Sequence, residues 1–190
     1  MTSIIKVDQI QTAAGGVPTA ADLGLNVSGT ILQAKSGVMT NQYSSTVMDT
    51  FVDFGLSVSV TPKRANSHWL IMAKVHTAMY TTQLDWPPHL AAFIGSNKVS
   101  PTGDTTGNSR PNVHTASVIS QSDAAPDNNQ VMVYNTDANL SVGVPYTFSI
   151  RGYTGRGYGT WYVNRSVTMY NDDISGSNPI STITVMEIAG

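Results

Sequence analysis

The chain has 190 residues and no cysteine, so it is long enough for one domain with a full core and carries no disulfide, thiolate metal site or cysteine nucleophile. A formal net charge of −2 argues against a nucleic-acid partner, and no run of 18 apolar residues is present to cross a membrane as a helix. Charged residues make up only 12% of the chain, about half the usual share, and Ser, Thr and Asn together supply 55 residues in their place. Hydroxyl and amide side chains compete with a helix for its backbone groups, so this composition suits strands. The opening MTSIIKVDQIQT lacks the long apolar core of an export signal.

The first 28 residues differ from the rest. Ile4, Ile5, Val7 and Ile10 are the only large apolar residues before a soft stretch over 12–16, and a short helical turn over 20–23 ends at Gly24. Four aliphatics are too few for a core. Burying them yields roughly 6–12 kcal/mol gross, against about 10 kcal/mol for fixing ten residues of backbone. The segment reads as an attachment arm, residues 1–28, and the alternative is a disordered tail. Residues 29–190 form the body.

In the body the dominant signal is period two. Strands are expected over 29–35, 47–54 and 56–60, with Gly55 as a joint, and Pro62 stops the run. Residues 67–80 are the longest unbroken segment. One face carries Trp69, Ile71, Ala73, Val75 and Met79, and the other carries His68, Leu70, Met72, Lys74, His76 and Tyr80. Further strands are expected over 89–94, 113–121, 130–135, 144–152, 159–164 and 180–189. Residues 96–112 and 122–129 read as loops. The last strand is apolar on both faces, with Ile183 and Val185 on one and Met186 and Ile188 on the other, which predicts a central position or a subunit contact. The pattern as a whole predicts an all-β, antiparallel β-sandwich or barrel.

Chemical motifs are sparse. His68 and His76 lie roughly 26 Å apart on one strand and cannot share a metal within a chain. Glu187 is the only glutamate, and Asp172-Asp173 with the following serines only faintly echoes a calcium loop. No nucleophile elbow or phosphate-cradling glycine loop is present, and the glycine-rich stretch 152–159 reads as a hairpin tip. No catalytic, cofactor or metal site is expected, and the chain is read as non-enzymatic. Trp86, Tyr153, Tyr158 and Trp161 form the one aromatic group that suits contact, as core, as subunit interface or as a glycan-binding surface.

The opening IIKVDQIQTAAGGVPTAADLGL resembles a beginning common among structural proteins of tailed bacteriophages, and YVNRS followed by STITVMEIAG resembles the end of small phage jelly-roll domains. The resemblance implies a virion structural protein: an antiparallel jelly-roll β-sandwich, similar to the trimeric tumour-necrosis-factor-like fold, behind an extended N-terminal arm. It implies a homotrimer assembled in the host cytoplasm, with the major capsid protein or another virion protein as partner. With no room for a long shaft, a capsid decoration or cement protein is the expected role. The alternative is a tail fibre or tail knob that contacts host surface glycan.

Overall fold

The computed structural model describes residues 15–16, 28–81, 89–99, 113, 115–116, 128–154, 159–165 and 179–190. Ile4, Ile5, Val7 and Ile10 of the arm lie outside the described residues, as do Trp86, Tyr158 and Asp172-Asp173. Within the described residues the chain is all-β, and every strand pairing is antiparallel.

One sheet contains β1 (Ile31–Met39), β2 (Tyr43–Ser45), β4 (His68–Thr81), β8 (Asn128–Thr136), β10 (Gly159–Val163) and β11 (Ser181–Ile188). The other contains β3 (Phe51–Val60), β5 (His89–Ile94), β6 (Asn97–Val99), β7 (Thr115–Ala116) and β9 (Tyr146–Tyr153). We call them sheet A and sheet B. The 14-residue strand β4 organises sheet A: β11 pairs its first half on one side, β10 pairs its second half on the same side, and β8 lines the other side. The alternation read from the sequence holds as far as Val75, and beyond it His76, expected on the other face with Lys74, is buried together with Thr77, Ala78 and Met79. Trp69, Ile71, Ala73, Val75 and Met79 are all buried between the sheets.

Several expected boundaries move. The expected strands 47–54 and 56–60 merge into one strand, β3, which begins only at Phe51, and Gly55 is a bulge within it rather than a joint. Its φ of +95° sits where the register against β9 shifts, between Asp53 and Ser57. Residues 96–112 do not form one loop from end to end, because Asn97–Val99 turns back on β5 as β6. Strand β2 was absent from the expected set. It joins sheet A through β10, with Trp161 opposite Ser45. Strand β11 is central as expected, between β1 and β4.

The core is organised by two tryptophans. Trp69 packs on Phe148 across the sheets at 5.3 Å and donates its indole N–H to the Ala138 carbonyl at 3.1 Å. Trp161 lies against Tyr43 at 5.4 Å and edge-on to Phe54 at 6.2 Å. Its ring also presses on Gly152, where an added Cβ would lie 2.7 Å from Cη2. On one flank the sheets come close enough that a Cβ on Gly37 of β1 would run into the Ser57 carbonyl of β3. A side chain there would force the two sheets apart.

Among the polar side chains buried with this core is one carboxylate. Glu187 of β11 is fully buried. Its carboxylate accepts hydrogen bonds from the backbone N–H of Lys63 at 2.9 Å, the N–H of Arg64 at 3.0 Å, the Ser67 hydroxyl at 2.9 Å and the Gln33 amide at 2.5 Å. The acid thereby fixes the turn between β3 and β4 onto the last strand. Burial without such partners would cost several kcal/mol.

Two outcomes follow from these contacts. Glu187→Gln sets an amide N–H₂ against backbone donors and should cost about 2–4 kcal/mol, lowering the melting temperature by roughly 5–15 °C in calorimetry. A melting temperature within 2 °C of wild type, on the order of half a kcal/mol, would contradict this role. Gly37→Ala should also destabilise, by about 1–3 kcal/mol through overpacking, although alanine has the better intrinsic propensity. Denaturant midpoints at equal slope provide the measurement.

Candidate functional site

The aromatic group expected to act as a contact surface divides. Trp161 is fully buried. Among the three roles open to it, the structure gives it the core, and its ring is not available at the surface of the chain. Tyr153 stands at the end of β9 on the outer face of sheet B. It stacks on His89 at 6.2 Å with the rings 15° apart and meets Phe51 at 5.2 Å. Trp86 and Tyr158 lie outside the described residues.

Around Tyr153 the register collects a cluster that sequence reasoning did not assemble. Phe51 of β3 lies opposite Tyr153, and Tyr153 lies opposite His89 of β5. Phe93 meets Phe51 edge-on at 5.4 Å. The Arg151 guanidinium lies over the Phe93 ring at 4.2 Å and donates to the Gly95 carbonyl at 2.8 Å, with Asp53 3.9 Å from its Nε. The Lys98 ammonium lies 5.2 Å from the Phe51 centroid. Each cation is thus engaged by a ring of its own sheet, at about 0.5–1 kcal/mol apiece. The arrangement stiffens the outer face of sheet B and, among the described residues, engages both Arg151 and Lys98 with partners on that face.

The outer face of sheet A has a different character. Cross-strand partners share a face, so the register aligns Ala34, Met186, Leu70 and Asn135 in one row. The next row is Ser36, Thr184, Met72 and Val133, and the one after is Val38, Thr182, Lys74 and Val131. Val131, Val133 and Val38 are 67%, 65% and 61% exposed. Leu70, Met72 and Met186 are half-buried. At the end of this face the His68 ring nitrogen lies 2.6 Å from the Asp137 carboxylate, an exposed pair of little energetic weight.

A third feature lies between the sheets. On the flank away from Gly37 and Ser57, the edge strands β8 and β6 leave a cleft of about 410 Å³. Asn97 and Val99 of β6, Tyr134 and Thr136 of β8 and Tyr146 of β9 line it. The Tyr146 phenol oxygen accepts the Ser141 N–H at 3.2 Å. Hydrogen bonding from Ser141 holds the pKa of this phenol below the ordinary tyrosine value.

The other candidate chemistry is dispersed. His76 is buried in β4, and Glu187 is committed to its turn. Asn164, of the sequon Asn164-Arg165-Ser166, is buried too. It donates to the Met39 carbonyl at 2.7 Å and accepts from the Ser181 hydroxyl at 2.6 Å, so its side chain is a structural clamp. Among the described residues no three His, Asp or Glu side chains gather as metal ligands would. No protein-family model matches this chain, and the search of curated proteins returned no significant match.

Proposed function

We propose that this chain is a non-enzymatic structural protein of a tailed-phage virion, a homotrimer that decorates the assembled head and stabilises it. The body is read as a jelly roll of the tumour-necrosis-factor-like kind. The strand order supports that reading. Sheet A runs β1-β11-β4-β8 and sheet B runs β3-β9-β5-β6, so the winding from β3 to β4 to β5, and from β8 to β9, crosses between the sheets at each step. The similarity of both chain ends to phage structural proteins supports the virion assignment.

The observation that carries the oligomer is the outer face of sheet A. Leu70, Met72, Met186, Val131 and Val133 form an apolar field interrupted by Ser36, Asn135, Thr182, Thr184 and Lys74. Monomers rarely leave a patch of this kind uncovered, and a closed ring of copies covers it on every subunit at once. A cement protein of this build works by mass action: it binds assembled shell and not free subunits, and so stabilises the shell by RT ln(1 + [L]/Kd). Three arms on one knob would raise avidity by about 10²–10⁴ over a single arm.

Two experiments test the proposal. Light scattering at micromolar concentration should give three times the 20.2 kDa chain mass, and Met72→Glu with Val133→Glu should give monomers. A wild-type monomer would end the oligomer reading. Deletion of residues 1–28 should leave a soluble body that melts cooperatively and no longer binds particles. Gly29 and Thr30 already belong to the body, through hydrogen bonds of 2.7 and 2.8 Å with Ala189. Near-native binding by the truncated body would move attachment from the arm to the body. Immunogold labelling of intact particles reads head against tail directly.

A further inference from the structure

We infer that the cleft between β6 and β8 is a binding site for a single neutral pyranose ring. The inference goes beyond the structural role proposed above and does not depend on it.

The argument starts from the side-chain parity of the strands. Inward positions between packed sheets are normally apolar, because each faces the opposite sheet. Along β8 the register puts Met132, Tyr134 and Thr136 on the inward side, opposite Ala73, Ile71 and Trp69 of β4. Met132 obeys the rule and is buried. Tyr134 and Thr136 bring a phenol and a hydroxyl into the gap instead. Across the gap, Asn97 of β6 pairs with Ile94 on the inward side and brings an amide where an aliphatic residue would seal the edge. Asn139, just beyond β8, adds a second amide to the lining. Four polar groups thus line one edge of the cleft, three of them on inward-facing strand positions, where they present hydrogen-bonding groups to whatever enters it.

The charge pattern narrows the ligand. Among the described residues of the lining, Lys98 is the only cation or carboxylate, and its register places it opposite Phe93 on the outer face of sheet B. Its ammonium rests on the Phe51 ring, outside the gap. Phenols, amides, a hydroxyl and aliphatic walls remain. Amides and hydroxyls both donate and accept, which matches the mixed hydrogen bonding of sugar hydroxyls. The faces of Tyr134 and Tyr146 and the Val99 side chain suit the C–H face of a pyranose. The Tyr146 oxygen accepts from the Ser141 N–H, which fixes the phenol in the lining. A volume of about 410 Å³ lies at the lower end of small-molecule sites, the size for one ring rather than a chain.

The test uses the full-length protein and saturation-transfer NMR. The probes are the methyl glycosides of glucose, galactose and N-acetylglucosamine, with methyl glucuronoside as the charged control. Transfer from at least one neutral probe is expected, with a dissociation constant in the millimolar range. The charged control should bind more weakly. Asn97→Leu and Thr136→Val should each weaken binding roughly fivefold while the melting temperature holds or rises. Tyr146→Phe, which keeps the ring, gives a third reading should either of those fail to fold. Absence of transfer from every neutral probe overturns the inference, as does transfer that survives all three substitutions. The mass of each variant is measured in the same samples. If the cleft substitutions shift the oligomer, the cleft is a subunit contact and the inference fails, whereas a trimer with an empty cleft leaves the structural role standing.

Discussion

The buried carboxylate of Glu187 joins parts of the chain that are distant in sequence. It lies on the last strand, yet its hydrogen-bond donors come from the turn between β3 and β4 and from Gln33 on the first strand. The turn at 61–67 carries the chain from sheet B to sheet A, so its geometry sets where β4 begins. Since β4 is the strand on which β8, β10 and β11 all register, an error at that turn would pass into the whole of sheet A. An aliphatic residue at 187 would pack as well against Trp69 but would leave the Lys63 and Arg64 amides without acceptors.

The two flanks of the molecule are made differently, and the difference follows from single residues. On one flank Gly37 lets β1 approach the Ser57 carbonyl, and the sheets close. On the other, Asn97, Tyr134 and Thr136 stand where aliphatic side chains would meet, and the sheets stay apart. The two tryptophans hold the interior between the flanks. Trp69 and Trp161 each bridge the sheets, with Phe148 and Phe54 as the facing partners from sheet B. The asymmetry concentrates packing on the closed flank and leaves accessible polar chemistry at the open one.

Much of the architecture was legible in the sequence because period-two alternation persists over long strands. The split of β4 into Trp69, Ile71, Ala73 and Val75 against Leu70, Met72 and Lys74 could be read directly and matches the faces observed. Strand 89–94 was read to the residue. Strands β2 and β6 escaped, since three residues are too short for a period to register. Gly55 was read as a break because glycine punctuates, whereas a bulge lets the strand continue past it. The site was less legible. For Trp161, core, subunit interface and glycan contact all fit the sequence, and its inward parity with Gly152 beneath it decides for core. The cleft could not be found from the sequence at all. Asn97, Tyr134 and Tyr146 are ordinary residues until strand register sets them on one side of a gap.

The position of β11 also governs the order in which the fold can be completed. It lies between β1 and β4, and Gln33 and Glu187 are separated by 154 residues. During synthesis β1 and β4 emerge long before the strand that belongs between them. Sheet A therefore cannot close as it is made, and two facing edges with open N–H and C=O groups persist until β11 is translated. Such long-range closure is intrinsically slow. Until β11 emerges, a nascent chain holds sheet A as an incomplete sheet vulnerable to pairing with its neighbours, and the few residues from Ser181 to Ile188 act as the closing piece that ends that exposure.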